Sequence, residues 1–373
     1  MVEATTRAFG SPSKYIQGPG EFNNLEVYTK SFGKIVFALI DGFLYDALNK
    51  DLRAIYDSSE SDYHAEKFQG ECCQPEVDRL TAKANEYSAD VIVGIGGGKT
   101  IDTAKIVASS LNLPLVIVPT SASTDAPTSA MSVIYTESGE HRGTIRHKRN
   151  PDLVLVDTNI ITKAPLRLFI SGMGDALATY FEARANEASD SANFVGKGYR
   201  RCKAGMAIAK MCYDILLQDG LKAKLALKRG VCTEAVENVI EANTLLSGLG
   251  FENTGCAAAH GIHAGLTEIA ATHKYLHGEK VAFGVICQLV MENAPPEELE
   301  TIIRFCMQVG LPTTLAQLDV EATEENIRTI AHKVVAGNPL VHAEPFKITE
   351  DVVYNAIIAA DELGKYYQGR EAK

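Results

Sequence analysis

The chain contains no apolar run long enough to cross a bilayer, and its first twenty residues hold neither an apolar core nor a cleavage pattern. Neither a membrane anchor nor a secretory leader is expected. Positive charge is also scarce: 36 Lys and Arg against 47 Asp and Glu leave a formal net charge of −11. Nucleic acids and anionic membrane surfaces are therefore poor partners. The densest basic stretch, Arg142 to Arg149, reads as a solvated loop. Cysteines at metal-ligand spacing are missing too. All eight, at positions 72, 73, 202, 212, 232, 256, 287 and 306, avoid a Cys-x-x-Cys pattern, and adjacent Cys72 and Cys73 cannot chelate one tetrahedral ion. Reduced thiols in a cytoplasmic enzyme are the expectation. No internal repeat, low-complexity segment or nucleophile-elbow motif is present, which argues against hydrolase chemistry.

What is there belongs to an ordinary globular protein. The chain has 373 residues, 46% hydrophobic and 22% charged, enough for two domains and a large core. Up to about residue 160, short β-type runs (35–40, 91–93, 114–118, 131–135 and 153–156) alternate with helical ones such as 75–87. That alternation predicts an α/β domain with a parallel, Rossmann-like sheet covered by helices. Beyond Pro165 nearly every segment has helical periodicity: 177–187, 204–217, 231–246, 257–269, 296–309 and 351–367. The expected division is an α/β domain over 1–162 and an all-helical domain over 163–373, with the active site in the cleft between them.

Residues 94–105 read Gly-Ile-Gly-Gly-Gly-Lys-Thr-Ile-Asp-Thr-Ala-Lys. An apolar strand runs into glycines, which then open a helix. This geometry leaves unpaired backbone N–H groups at the positive end of a helix dipole, where a phosphate can sit. Lys99 stands where the common dinucleotide fingerprint needs glycine, and Gly94 and Gly98 lie one residue too close for a nucleoside-triphosphate loop. Ligands of parallel sheets bind beyond the carboxyl ends of the strands. Asp41, the Gly94–Gly98 turn and Pro119-Thr120 all fall there, on one rim. After residue 118 comes a loop dense in small hydroxyls, Thr120 to Ser129, suited to a nicotinamide, a ribose or a polyol.

Four of the nine histidines, His260, His263, His273 and His277, cluster within 18 positions. The first two share a helix face at a spacing of three, and the last two could share one at a spacing of four. Imidazoles with a carboxylate suit Zn²⁺ or Fe²⁺, although such histidines can equally serve as surface hydrogen-bond donors. Asp175, after Gly172 and Gly174, is placed at the N-cap of a helix, and spacing alone does not choose between cap and ligand.

Residues 96–105, the 119–127 loop, Gly174-Asp175-Ala176-Leu177-Ala178-Thr179, Ala257-Ala258-Ala259-His260 and residues 277–284 (His-Gly-Glu-Lys-Val-Ala-Phe-Gly) together resemble the metal-dependent, iron-containing alcohol dehydrogenases. Within that family the resemblance is to the enzymes that oxidise glycerol, and it runs from Lys14 to the last helix. It implies one zinc ion per subunit, held by Asp175, His260 and His277 at the catalytic centre, with His263 and His273 as neighbours. It implies NAD, with Asp41 on the adenosine ribose; a carboxylate there accepts from ribose hydroxyls and repels a 2′-phosphate. The turn of Gly96, Gly97 and Gly98, with Lys99, Thr100 and Asp102, would hold the pyrophosphate. Thr120, Ser123, Ser129, Met131 and Tyr135 would line the nicotinamide side, and Asp125 would touch the substrate. The reaction implied is glycerol to dihydroxyacetone, and its reverse, in a homo-oligomer acting on a small polyol. Another diol, a hydroxy acid or glycerol 1-phosphate is the alternative substrate within the family. A lyase on the same architecture and a catalytically dead binding protein are the remaining rivals.

Overall fold

The computed structural model describes residues 5–337 and 339–371. The chain divides into two compact units, Gly10–Ala164 and a second made of Pro165–Lys373 together with the N-terminal segment ending at Phe9.

The first unit is a six-stranded sheet whose described neighbours all pair in parallel: β1 (Tyr15–Gly18), β2 (Ile35–Ile40), β3 (Asp62–Lys67), β4 (Val91–Gly96), β5 (Leu115–Pro119) and, after an excursion, β8 (Leu153–Asp157). Their spatial order is β1-β8-β5-β4-β2-β3. Central strands β2, β4, β5 and β8 are continuous apolar runs, because helices α1 (Leu25–Thr29), α2 (Tyr45–Tyr56), α3 (Gln74–Glu86), α4 (Gly98–Leu111) and α5 (Thr158–Ile161) leave them little contact with water. Both edge strands, β1 and β3, lack such a run. β3 reads Asp-Tyr-His-Ala-Glu-Lys and is only half-buried, which is why the hydrophobic pattern passes it over.

One predicted strand leaves the sheet. β6 (Met131–Tyr135) pairs antiparallel with β7 (His141–Arg146) in a separate ribbon. The stretch expected to be a basic solvated loop is thus largely a strand. Its partner alternates half-buried and buried residues, and it is fastened to α4: the Asp102 carboxylate accepts from Val133 N–H at 2.9 Å, and Lys105 donates to the Met131 carbonyl at 2.7 Å.

The second unit is helical: α6 (Leu166–Ser189), α7 (Lys203–Lys228), α8 (Glu234–Glu241), α9 (Ser247–Thr254), α10 (Ala258–Leu266), α11 (His277–Met291), α12 (Pro296–Val309), α13 (Glu324–Gly337) and α14 (Glu350–Glu371). A π-helical turn, Ala242–Leu246, joins α8 to α9. The largest departure from expectation is α6. It begins eleven residues before position 177, so Asp175 lies inside a helix of 24 residues and is no N-cap. Each interior glycine costs a helix about 1 kcal/mol against alanine. Burial of Phe169, Met173, Ala176 and Leu177 outweighs that cost. Nor do His273 and His277 share a helix: the first sits in a 3₁₀ turn, Ala270–Lys274, and the second opens α11. Apolar nearly all round, α11 carries no amphipathic stripe and escapes a periodicity search.

No described helix is long and apolar enough to cross a membrane. All eight cysteines are free thiols, six of them buried.

Candidate metal centre and nucleotide-binding rim

Three helices of the second unit meet through glycines. A Cβ added to Gly278 would lie 1.8 Å from the Ser171 carbonyl oxygen, and one on Gly174 would lie 2.3 Å from that of Gly278. The backbones of α6 and α11 therefore touch, which only glycine permits. Gly284 likewise lets α11 approach Ala259 at the start of α10, where a Cβ would sit 2.3 Å from its carbonyl oxygen. Asp175 follows Gly174, and His277 precedes Gly278, so this seam delivers both side chains to one place. Asp175 Oδ1 is 3.0 Å from His277 Nε2 and 3.4 Å from His260 Nε2. One donor atom from each of the three residues falls within 4.8 Å of the others.

The far side of each imidazole is also arranged. His260 Nδ1 lies 2.7 Å from Glu182 Oε2, so an Nδ1–H donated to that carboxylate leaves the Nε2 lone pair facing Asp175. His277 Nδ1 is 3.0 Å from His263 Nε2, and a proton on the former would leave its Nε2 free in the same way. His263 is therefore a support for His277. Burial, then the neighbouring His277, Lys280 and His260, hold its pKa well below the ordinary histidine value. His273 is exposed and donates Nε2–H to the Thr267 carbonyl at 2.9 Å, away from the donor set. Burial by itself would raise the Asp175 pKa, yet the imidazoles of His277 and His260 hold it well below the usual carboxylate range. For His260, burial pushes downward, but the Glu182 carboxylate keeps the ring well above its ordinary value. A carboxylate with two imidazoles is a donor set for a borderline divalent cation, and three protein ligands leave room for substrate.

In the first unit, the strand order reverses between β2 and β4, the switch point where ligands of open α/β sheets bind. Asp41 stands just past β2, its N–H donating to the Ile95 carbonyl and its Oδ1 accepting from Phe43 N–H at 3.0 Å. Gly97 follows β4 and begins α4 with no side-chain cap, and neither Gly97 nor the described space beside it is filled: a Cβ there would meet nothing within 4 Å. Thr120 follows β5, its N–H donating to the Gly96 carbonyl. These three positions share the rim. Gly98 is within reach of Thr124, and Ser123 bonds Ser121 at 3.1 Å in the hydroxyl loop.

Other residues of the expected cofactor set have these contacts within the protein. Thr100 packs against Gly96, where a Cβ would lie 2.7 Å from its own Cβ. Asp102 is buried and fastens the β6 ribbon, and Ser129 accepts from Lys105 at 3.3 Å. Lys99 pairs with Glu71 at 2.6 Å and lies 5.3 Å above the Tyr135 ring. Met131 and Asp125 are half-buried, the latter just before the 3₁₀ turn Ala126–Thr128.

Residues 12–158 match the description of the iron-containing alcohol dehydrogenases. A glycerol dehydrogenase from Thermotoga maritima is 46% identical over 97% of this chain and 98% of its own length. The chain belongs to the iron-containing alcohol dehydrogenase family. Among solved structures, a probable glycerol dehydrogenase from Sinorhizobium meliloti superposes with a TM-score of 0.91 at 48% identity, covering 96% of this chain and 99% of its own. Glycerol dehydrogenase from Schizosaccharomyces pombe gives 0.92 at 38% identity, over 99% and 93%.

Within this iron-containing alcohol dehydrogenase, sequence reasoning missed Glu182. Fully buried, it accepts His260 Nδ1–H with one oxygen and the N–H groups of Ala257 and His260 with the other, at 2.8 and 2.9 Å. Glu344 and Gln288 take the N–H groups of Ala258 and Ala259, so all four orphan donors at the start of α10 are satisfied. A signal did exist. Glu182 lies seven residues after Asp175, two helical turns along the same face.

Proposed function

We propose that this protein is an NAD-dependent glycerol dehydrogenase that oxidises glycerol to dihydroxyacetone and runs the reverse reduction, with zinc as its metal. The convergence of Asp175, His260 and His277 carries the reading. The names of its relatives support the substrate class, and the donor set suits zinc as well as iron. Bound there, such a cation would supply Lewis acidity to a substrate hydroxyl, easing proton loss so that hydride can pass to the nicotinamide.

The chain's own residues do the rest. Glu182 and His263 fix which nitrogen each ligand imidazole presents. Asp175 contributes the negative charge of the donor set, which an imidazole ligand does not supply. On the other unit, the open backbone N–H groups at Gly97 and Gly98 suit a pyrophosphate. Asp41 would accept from the ribose hydroxyls, and its charge would repel a 2′-phosphate, favouring NAD over NADP. Asp125 is assigned to the polyol.

Initial rates of NAD⁺ reduction over a panel of vicinal diols, polyols and hydroxy acids test the reading, before and after chelation. Expected is highest kcat/KM with glycerol-like vicinal diols, loss on chelation and recovery with Zn²⁺. Turnover untouched by thorough chelation, or a preference for a hydroxy acid, would overturn it.

A further inference from the structure

The three ligands differ in how firmly the fold determines them. Asp175 sits in the middle of α6, and His260 lies where every early N–H of α10 has a partner. His277 is the first residue of α11, in the turn where a helix ordinarily frays. Beside the seam at Gly278, whose N–H also donates to Ser171 Oγ at 3.2 Å, a further tie holds that turn.

Glu279, two residues on, reaches back to accept from Leu276 N–H at 2.7 Å. Arg167, in the first turn of α6, grips the same carboxylate with both arms: Nε donates to Oε1 at 2.6 Å and Nη2 to Oε2 at 2.7 Å. Nη2 also reaches the Lys274 carbonyl at 3.3 Å, and the guanidinium lies 5.8 Å above the Tyr275 ring. One side chain thus gathers residues 274, 275 and 279, on both sides of His277. Arg167 is 54% exposed but Glu279 only 10%, and a two-pronged pair on a shielded carboxylate keeps its geometry where an ordinary surface pair does not. Arg167 and Asp175 stand eight residues apart on one helix, about 12 Å along its axis. Helix α6 therefore supplies one ligand directly and anchors the turn that carries another.

We propose that the Arg167–Glu279 pair is a positioning device for the metal ligand His277, setting metal affinity without touching the metal. This rests on the metal-centre reading above. The test is Zn²⁺ affinity of the metal-free, full-length protein, by competition with a chromogenic chelator, beside its melting temperature and NADH binding. Arg167→Ala is expected to raise the Zn²⁺ dissociation constant about 10- to 100-fold, with NADH binding unchanged. Arg167→Lys should recover only part of that, because an ammonium cannot make the fork. Glu279→Gln, which keeps an acceptor for Leu276 N–H while losing the ion pair, should behave like Arg167→Ala and gives a second reading should that variant fold poorly. A merely structural pair would lower the melting temperature and leave Zn²⁺ affinity within about twofold of wild type in both variants, which would overturn the proposal. Asp175→Ala separates the two levels. If it alone loses Zn²⁺, only the positioning role fails; if it too binds Zn²⁺ normally, the metal-centre reading itself falls.

Discussion

At Gly97 an added Cβ would meet no protein atom within 4 Å, whereas at Gly278 it would lie 1.8 Å from the carbonyl oxygen of Ser171. The same residue type does opposite work in the two units. On the rim of the α/β unit, glycine leaves the space beside an uncapped helix N-terminus empty. Around the candidate metal centre, glycine removes space, so that two helices touch and bring side chains a hundred residues apart into one cluster. A rim built from backbone depends on a short stretch of chain. A centre built from side chains depends on how helices pack.

The comparison can be broken in four places. The largest effect belongs to the ligands. Asp175→Asn or His260→Ala should abolish turnover and weaken Zn²⁺ retention by more than the roughly hundredfold of an outer-shell change, while NADH binding survives in a fluorescence titration. Loss of NADH binding in the same variants would mean that the two halves are not separable. Next comes the helix seam: Gly278→Ala should destabilise the fold by about 3 kcal/mol or more, read as a lowered melting temperature with weakened Zn²⁺ binding. Gly97→Ala should do the reverse, leaving the melting temperature unchanged while NADH affinity drops about tenfold, or ~1.4 kcal/mol. A destabilised Gly97→Ala would show that the rim glycine is structural after all.

The smallest effect is one of pH. Burial, with Glu292 nearby, pushes the Glu344 carboxyl up to about 8. Folded, it keeps its proton to higher pH than the unfolded chain does, so its contribution is full below the ordinary carboxylate range and is lost as pH rises toward 8. Glu344→Gln retains an acceptor for Ala258 N–H and does not titrate. Its stability relative to wild type should therefore rise between pH 5 and pH 8.5. Parallel melting curves across that range would count against a buried, protonated Glu344.

How much was legible follows the same division. The glycine turn, the central strands and the helix 296–309 lie in short, strongly patterned stretches, and local sequence reports them well. The β6 strand was legible as a strand but not as a ribbon outside the sheet, because its anchor is a buried carboxylate thirty residues earlier, at Asp102. Asp175 looked like a cap because two glycines precede it. Their reason is Gly278, over a hundred residues away. The candidate metal ligands were named only through resemblance to a family, since no local spacing distinguishes His277 from His273 or His260 from His263.

By itself the sequence determined which segments could be buried strands or helices, where the backbone could open toward a phosphate, and which residue types were on hand for a cation. Tertiary structure alone decided which of those residues meet. It made Glu182 the partner of His260, His263 the support of His277, and Asp175 an interior residue of α6 in place of a cap. The reason is physical: hydrogen-bond periodicity and chain stiffness act over a few residues, whereas donor convergence depends on helix crossings that many weak contacts settle together.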